Sequence, residues 1–478
     1  TLSDQIYFNS RVLTDYFESV GNRVLTIDDF STEFSSEPRV TRFSVATEFS
    51  ITQRSKKFVT LVKDKTFTGE RQVSLVSLLQ NGSTGYINNY GRIDSVLDLG
   101  SFDFGISGNN GQLLFYPTKF SVNNYNITSA SFDIIGFANT TGIGSTTLGN
   151  FVNINSTQTA VPTGTATTIV GIASTYRSSK VLVMINGDNG RLEYDELSIL
   201  HDGTNVDLLE YGQLATDFDT TTGGAGLGTY TASMDTGDII VQFVPHTGIA
   251  ASVDTIRVSI ADTASGSTGI GTQFLGNGEQ DLAFIDSTYT SINASGSPTE
   301  NVIAQYDINN TAETNDHNAA YYILSVEDVT NNRYEMSEVI VLNDSSETYI
   351  TEYGNITSVA GLGTVGAAVS SNYVNLYYTP NASTHVQVRV FQMRLQIAAE
   401  NSAITSVNEI DLNNASINCG FGNYEGTEVD VLRAFNLTHD GRNIFAREFD
   451  GSDSSVVNLT KNSITIPEHF FVSGEEVT

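Results

Sequence analysis

The side chains that most often perform chemistry in proteins are few and scattered in this chain. Six histidines and one cysteine occur among 478 residues. The histidines share no close spacing with one another or with Cys419 that would suit zinc. There is no Gly-x-Ser-x-Gly nucleophile elbow, and the absence of any Gly-Lys-Ser or Gly-Lys-Thr excludes a P-loop. The sequence therefore predicts no catalytic residue, no metal ligand and no cofactor.

Carboxylates are abundant, but none of them stands out by its spacing. Asn186 with Asp188, and Asp450 with Asp453, could offer oxygen ligands to calcium, although neither pair has an EF-hand spacing. Ordinary Asx turns explain both pairs. A carboxylate pair for glycoside hydrolysis is assembled by the fold, so it need not be visible in a sequence with 54 acidic residues.

Basic residues are concentrated in one short segment. Six of the 23 fall within 18 residues: Arg54, Lys56, Lys57, Lys63, Lys65 and Arg71. One interpretation is a solvated strand-and-hairpin face. The other is an interface with acidic surface from another subunit or module, because a cationic patch on a chain of net charge −31 attracts such surface.

Composition limits the class of protein. The net charge of −31 repels phosphate backbones, so it disfavours a nucleic-acid partner. A single cysteine allows no intramolecular disulfide, which fits folding in a reducing cytoplasm. No apolar run is long enough to span a membrane, and Thr1–Asp4 has no secretory character. With 39% hydrophobic residues and 41 glycines, the chain resembles all-β surface and appendage proteins.

An internal repeat organises most of the chain. A Tyr-Gly pair follows a turn-forming pair by eight residues in three places, and a Leu-Gly pair comes after each Tyr-Gly pair. From the second glycine to a proline the step is then 17 residues every time. The repeated positions are Tyr90, Gly91, Leu99, Gly100 and Pro117; Tyr211, Gly212, Leu227, Gly228 and Pro245; and Tyr353, Gly354, Leu362, Gly363 and Pro380.

The shared positions specify turns and a core rather than a site. The polar neighbours change between copies, since Asn89 stands where Glu210 and Glu352 stand. We expect each tyrosine ring to pack in the core of its own module, with its hydroxyl at the rim or hydrogen-bonded. Residues 255–260 alternate apolar and polar with period two. That alternation places Arg257, and likewise Arg389, on an outward face.

These patterns predict an all-β chain of tandem antiparallel β-sandwich modules in three copies. The predicted segments are an extended N-terminal arm (1–40), copy one (41–138), a connector (139–166), copy two (167–261), a connector (262–317), copy three (318–396) and a β-rich C-terminal segment (397–478). The connectors share a Thr-Gly-Ile-Gly motif, so we expect each to give an edge strand or a protruding loop. The chain is expected to continue past Thr478.

Three segments are informative as whole patterns: residues 19–30, the block 108–119 and the tail 464–477. They resemble virion structural proteins of T-even-like contractile-tailed phages of marine cyanobacteria. The resemblance implies a tail, baseplate or fibre component made in the host cytoplasm, and it carries over no catalytic residue. It implies other virion tail proteins as partners, and we expect a homo-oligomer.

Two alternatives remain open at this stage. The first is a module that binds a host glycan or surface protein, with Phe284, Tyr289 and Tyr306 in the second connector as candidate contact residues. Buried strand positions are the competing interpretation of those aromatics. The second is a cellular surface-layer or filament protein, which would require a secretion signal on the full gene product.

Overall fold

The computed structural model describes most of the chain between residues 44 and 424 and four short strands after it. The described residues are 44–65, 70–96, 98–117, 125–135, 144–188, 190–216, 226–262, 273–276, 281–293, 298–308, 317–344, 346–381, 385–396, 405–412, 414–424, 437–439, 442–444, 457–458 and 463–464. The predicted N-terminal arm, Asp450 with Asp453, and most of the segments that carry the phage resemblance at the two ends lie outside these residues.

All the regular secondary structure that the structure describes is β-strand, which confirms the predicted all-β class. The first strands are β1 Ser44–Ser50, β2 Gln53–Asp64, β3 Arg71–Gln80, β4 Gly85–Asp94, β5 Gly100–Ser107, β6 Asn110–Pro117 and β7 Tyr125–Ile135. Next come β8 Gly144–Leu148, β9 Val152–Val161, β10 Thr167–Ala173, β11 Tyr176–Gly187, β12 Leu192–His201, β13 Val206–Ala215, β14 Gly228–Asp235, β15 Asp238–Pro245 and β16 Ala251–Ala261.

The remaining strands continue the same pattern of lengths. They are β17 Gln273–Gly276, β18 Asp281–Asn293, β19 Asn301–Asp307, β20 His317–Asp328, β21 Arg333–Asn343, β22 Thr348–Thr357, β23 Gly363–Ser370, β24 Tyr373–Pro380, β25 His385–Gln396, β26 Thr405–Leu412, β27 Ala415–Tyr424, β28 Leu437–His439, β29 Arg442–Ile444, β30 Val457–Asn458 and β31 Ser463–Ile464.

Three six-stranded sheets share one strand order. Read in the same direction, the orders are β26-β27-β7-β2-β3-β4, β8-β9-β16-β11-β12-β13 and β17-β18-β25-β20-β21-β22. Three-stranded sheets of order β1-β6-β5, β10-β15-β14 and β19-β24-β23 accompany them. We name the first module as β1–β7 with β26 and β27, the second as β8–β16, and the third as β17–β25.

Each module is a β-sandwich with its own core between its two sheets. In the first module this core contains Phe58 and Val76 of the large sheet and Phe102 and Phe115 of the small one. Corresponding cores fill the second and third modules. A further core joins the opposite faces of all three large sheets. Since both faces of each large sheet are covered, β3 and β12 are buried along their whole length.

The large sheet of the first module is completed by β26 and β27, which follow the third module in the chain. β27 pairs with β7 in antiparallel register, with Ile417 opposite Phe132 and Cys419 opposite Ala130. In the second module the same place belongs to β9, which comes just before β10 in the chain. The predicted module boundaries therefore differ from the modules defined by strand pairing. The connectors contain sheet strands, and residues 405–424 of the predicted C-terminal segment belong to the first module.

The chain divides into two compact units. One is residues 43–425 and holds the three modules. The other consists of residues 1–42 and 426–478, where the structure describes the short pairs β28 with β29 and β30 with β31.

Candidate functional site

A group of buried charges lies where the three modules meet. It contains Lys57 of β2, Lys180 of β11, Glu196 of β12 and Glu338 of β21, all with side chains at most 3% exposed. We call these four residues the central cluster. It therefore holds two positive and two negative groups inside the core shared by the large sheets.

Strand register explains how the residues reach this place. Glu196 pairs with Tyr211 of β13, Glu338 pairs with Tyr353 of β22, and Leu75 pairs with Tyr90 of β4 in the same way. The two glutamates and Leu75 thus occupy matching positions in the three large sheets. By the same matching, Lys57 and Lys180 correspond to Tyr321. Each matched set is charged in two modules and uncharged in the third.

Each lysine contacts both glutamates. Lys57 Nζ is 2.7 Å from Glu196 Oε2 and 3.0 Å from Glu338 Oε2. Lys180 Nζ is 2.7 Å from Glu196 Oε2 and 2.9 Å from Glu338 Oε1. Every ion pair except that between Lys180 and Glu196 therefore joins two different modules.

Hydroxyl groups complete the surroundings of the glutamates. Glu196 Oε1 accepts hydrogen bonds from Ser77 at 2.9 Å and Tyr194 at 3.0 Å, and also from Tyr90. The Tyr321 hydroxyl donates to Glu338. Because charge-assisted hydrogen bonds partly replace lost hydration, they reduce the cost of holding these carboxylates away from water.

The opposite charges keep Lys57 and Glu196 ionised despite their burial. Burial alone would lower the pKa of Lys57, but the charges of Glu196 and Glu338 outweigh it and raise that pKa well above its ordinary value. Burial would raise the pKa of Glu196, yet Lys180 and Lys57 hold it well below its usual range. A lysine held protonated is not a nucleophile. The arrangement is therefore suited to fixing three sheets together rather than to reacting with a substrate.

The space beside the cluster is small. A cavity of about 10 Å³ is lined by Lys57, Lys180 and Tyr321 together with apolar side chains. This volume is close to what a single water molecule needs. In the described part of the chain, no group of three or more His, Cys, Asp or Glu side chains could hold a metal ion.

The repeated tyrosines lie at this junction rather than in the cores of single modules, so the expected location is wrong. Tyr90 and Tyr353 pack against the shared core, with their rings in an edge-to-face contact at 6.3 Å. The ring of Tyr211 lies 3.8 Å from Lys180 Nζ. All three tyrosines are only partly buried.

The glycine after each tyrosine forms a β-bulge. The register of β4 against β3 shifts between Val73 and Leu75, so Gly91 and Arg92 lie opposite one residue. Gly91, Gly212 and Gly354 have φ values of 55°, 70° and 61°, in the left-handed region that favours glycine. The bulge turns the tyrosine toward the shared core.

The Leu-Gly to Pro spacing is the length of one hairpin. Gly100, Gly228 and Gly363 pair directly with Pro117, Pro245 and Pro380. An added Cβ on each glycine would lie about 2.4 to 2.5 Å from the ring of Phe115, Phe243 or Tyr378. Leu99, Leu227 and Leu362 are buried beside them. The block therefore needs glycine because an aromatic ring covers it.

A side chain from β3, β12 or β21, the strand next to one edge of each large sheet, holds the Leu-Gly backbone. The amide of Leu99 donates to Gln72, that of Leu227 to Glu193, and that of Leu362 to Glu335 at 2.6 Å. Burial raises the pKa of Glu335 to about 7, although the Leu362 amide opposes that shift. Gln72 accepts the equivalent hydrogen bond in the first module, and its side chain does not titrate.

The basic segment does not form one surface. Lys56 and Lys57 are 1% and 0% exposed, and Arg71 is 5% exposed. An exposed docking surface is therefore wrong for these three residues, and so is a solvated face. Arg54, Lys63 and Lys65 are only partly buried. The acidic partners of Lys57 belong to the second and third modules of the same chain.

The outward placement expected for two arginines is wrong because both faces of the large sheets are covered. Arg257 and Arg389, expected on an outward face, are 8% and 1% exposed. Arg257 donates to the Gly171 carbonyl at 2.6 Å. Of the aromatic candidates for receptor contact, Phe284 and Tyr306 are buried strand residues, and Tyr289 lies against Arg389. The buried interpretation therefore holds for Phe284 and Tyr306, whereas Tyr289 is only half-buried.

Sequence reasoning missed the glutamates and one lysine of the central cluster. Glu196, Glu338 and Lys180 each follow a polar residue and precede an apolar one, so the local sequence does not mark them as a site. Their mutual proximity depends on how three sheets pack, which no local spacing encodes.

Comparison with known proteins adds no family. The sequence matches no protein-family model, and it matches no curated protein. Among the described residues, no helix is long and apolar enough to cross a membrane.

Proposed function

We propose that this chain is a structural component of the tail of a contractile-tailed phage, in the baseplate, a fibre or another appendage. It works by being held in place and has no enzymatic turnover. The observation that supports this role is the central cluster, whose ion pairs connect three modules inside one unit. The resemblance of three segments to virion proteins directs the proposal to a tail.

The modules are suited to a part that must keep its shape under force. Buried ion pairs are weak contributors to net stability, but they penalise any arrangement that separates them. Pulling one module away would leave a charge without its partner in an apolar core. Cross-module pairs therefore oppose sliding of the modules more than apolar packing alone would.

The experiment locates the protein in particles. Antibodies against the folded unit of residues 43–425 are used for immunogold microscopy on purified particles of a phage that encodes the chain. We expect label on the tail and the protein in the particle proteome. Its absence from washed particles, with the protein present only in infected-cell lysate, would refute the structural role.

A second assay tests the absence of turnover. The purified chain is incubated with polysaccharide from the host surface, and products are analysed by size. We expect none. Cleavage that disappears when a single carboxylate is substituted, with folding intact, would show that the protein is a polysaccharide depolymerase.

A further inference from the structure

A second buried ion pair lies in the first module, on the other face of β2. Lys56 Nζ is 2.5 Å from Asp133 Oδ2 of β7, and both side chains are fully buried. The same Oδ2 atom accepts a hydrogen bond from the side-chain amide of Asn418 on β27. One carboxyl oxygen therefore touches both an amine and an amide, from strands on either side of it.

The surroundings of this amine are largely aromatic. Lys56 Nζ lies 4.5 Å from the ring centre of Phe49 and 5.4 Å from that of Phe58. Its other polar contact is Gln53 Oε1 at 3.0 Å. Unlike the central cluster, this site has one lysine and one carboxylate, and the amide beside them is neutral.

The other two modules lack this set of residues. Matching by register places Ser179, Ser259 and Asn155 at the corresponding positions of the second module. There the two serine hydroxyls are 2.8 Å apart. The third module has Ala320, Arg394 and Asp286. Lysine, aspartate and asparagine thus come together only in the module that the far end of the chain completes.

We propose that Lys56 and Asn418 become joined by an isopeptide bond that the folded protein forms itself, with Asp133 as the group that transfers the proton. An unprotonated lysine amine is a nucleophile, and a side-chain amide held beside it is an acyl donor. Fixed proximity replaces the encounter that makes this reaction slow in solution.

The step balances without any co-reactant. The Lys56 amine, in its neutral form, attacks Cγ of Asn418 while protonated Asp133 hydrogen-bonds to the amide. In the tetrahedral intermediate, Asp133 takes the proton from Nζ and delivers a proton to Nδ2. The bond from Cγ to Nδ2 then breaks, ammonia leaves, and a secondary amide joins the two side chains. Asp133 ends in the protonation state in which it began.

Electrostatics favours the required neutral forms. Burial lowers the pKa of Lys56, even though the charge of Asp133 opposes that shift. Burial also raises the pKa of Asp133 against the opposing effect of Lys56. Proton transfer from the ammonium to the carboxylate gives a neutral amine and a carboxylic acid, which are the reacting species.

The bond would fix β27 to the first module covalently. Asn418 and Lys56 belong to strands on either side of β7 in one sheet. The cross-link would also enclose most of the chain in a loop, from residue 56 to residue 418. Tension on the C-terminal end would then be transmitted to β2 without opening the edge of the sheet. This inference does not depend on the proposed tail role.

Mass spectrometry of the purified full chain tests the proposal. We expect a denatured mass lower than the sequence mass by one ammonia. A protease digest should contain one branched peptide in which fragmentation places the link between Lys56 and Asn418. An unmodified mass, or two separate unmodified peptides, would overturn the proposal. So would loss of one water with a link from Lys56 to Asp133.

Variants separate the three roles. Lys56→Arg and Asn418→Ala should abolish the branched peptide, and Asp133→Asn should abolish or greatly slow its formation. Asn155→Ala, at the matching position of the second module, should leave it intact. Circular dichroism checks that each variant folds, and the wild-type digest decides the proposal even if a variant does not fold. A persistent link in folded Asp133→Asn would refute the role of Asp133.

Discussion

The large sheets of the first and second modules have the same strand order but are completed in different ways. In the second module, β8 and β9 directly precede the other strands, so the sheet is local in sequence. In the first, β26 and β27 follow the second and third modules in the chain. Closing so long a loop costs conformational entropy that only stable packing can offset. The difference indicates that the first module depends on the complete chain.

The two modules also differ in the side chains on β7 and β16, the strands that pair with β27 and β9. In the second module a pair of serines occupies the place that Lys56 and Asp133 occupy in the first. The apolar contacts are similar, since Ile417 and Ile154 both face the shared core. The first module is therefore distinguished by specific polar side chains, at the place where β27 pairs with β7.

Removing β26 and β27, which pair as a hairpin, should have the largest effect on stability. A chain that ends at residue 404 lacks the buried side chains of β26 and β27, including Ile417 and Phe421. We expect loss of cooperative unfolding, measured by calorimetry, because one face of the shared core would be open to water. A chain that ends at residue 425 is the control and should unfold cooperatively. Equal behaviour of the two truncations would contradict the dependence on the hairpin.

Breaking the central cluster should cause the second largest loss of stability. Lys57→Met leaves the two glutamates with one lysine between them, so the free energy of unfolding should fall by about 3–5 kcal/mol in urea titrations at neutral pH. The double variant Lys57→Met with Glu196→Gln restores the balance of charge and should recover most of that loss. A double variant that loses at least the sum of the single effects would show that charge balance is not what the cluster provides.

Glu335 should make stability depend on pH where Gln72 of the first module does not. Its ordinary pKa of 4.5 is raised to about 7 in the folded protein. A carboxyl group with a raised folded pKa binds more protons when folded, so stability falls as pH rises from about 4.5 to 7, by roughly 2–3 kcal/mol. Glu335→Gln should remove that part of the decline in urea midpoints measured across this range. An unchanged slope would argue against burial of an acidic proton there.

The smallest effect is expected at the Leu-Gly glycines. Gly228→Ala would bring a Cβ to about 2.4 Å from the Phe243 ring and the Val244 carbonyl. We expect a loss of about 1–3 kcal/mol, seen as a lower melting temperature. Gly171→Ala is the matched control in the same module, because nothing lies within 4 Å of its Cβ position. If the two variants melt alike, the covered-glycine explanation of the repeat fails.

The sequence predicted the elements well and their assembly poorly. Turn pairs, strand runs and the Gly-to-Pro spacing are local, and each corresponds to one hairpin such as β5 with β6. The pairing of β27 with β7 joins residues far apart in the chain, such as Phe132 and Ile417, so no local pattern encodes it. Arg389 was expected on the surface because alternation reports a difference between two faces, and here both faces are buried.

Hydrogen exchange on the intact chain tests most directly whether the far end of the chain completes the first module. The amides of β27 should be protected from exchange to the same degree as those of β9, which holds the matching place in the second module. The described pairing predicts comparable protection over Ala415–Tyr424 and Val152–Val161. Rapid exchange throughout β27, with β9 still protected, would contradict the account.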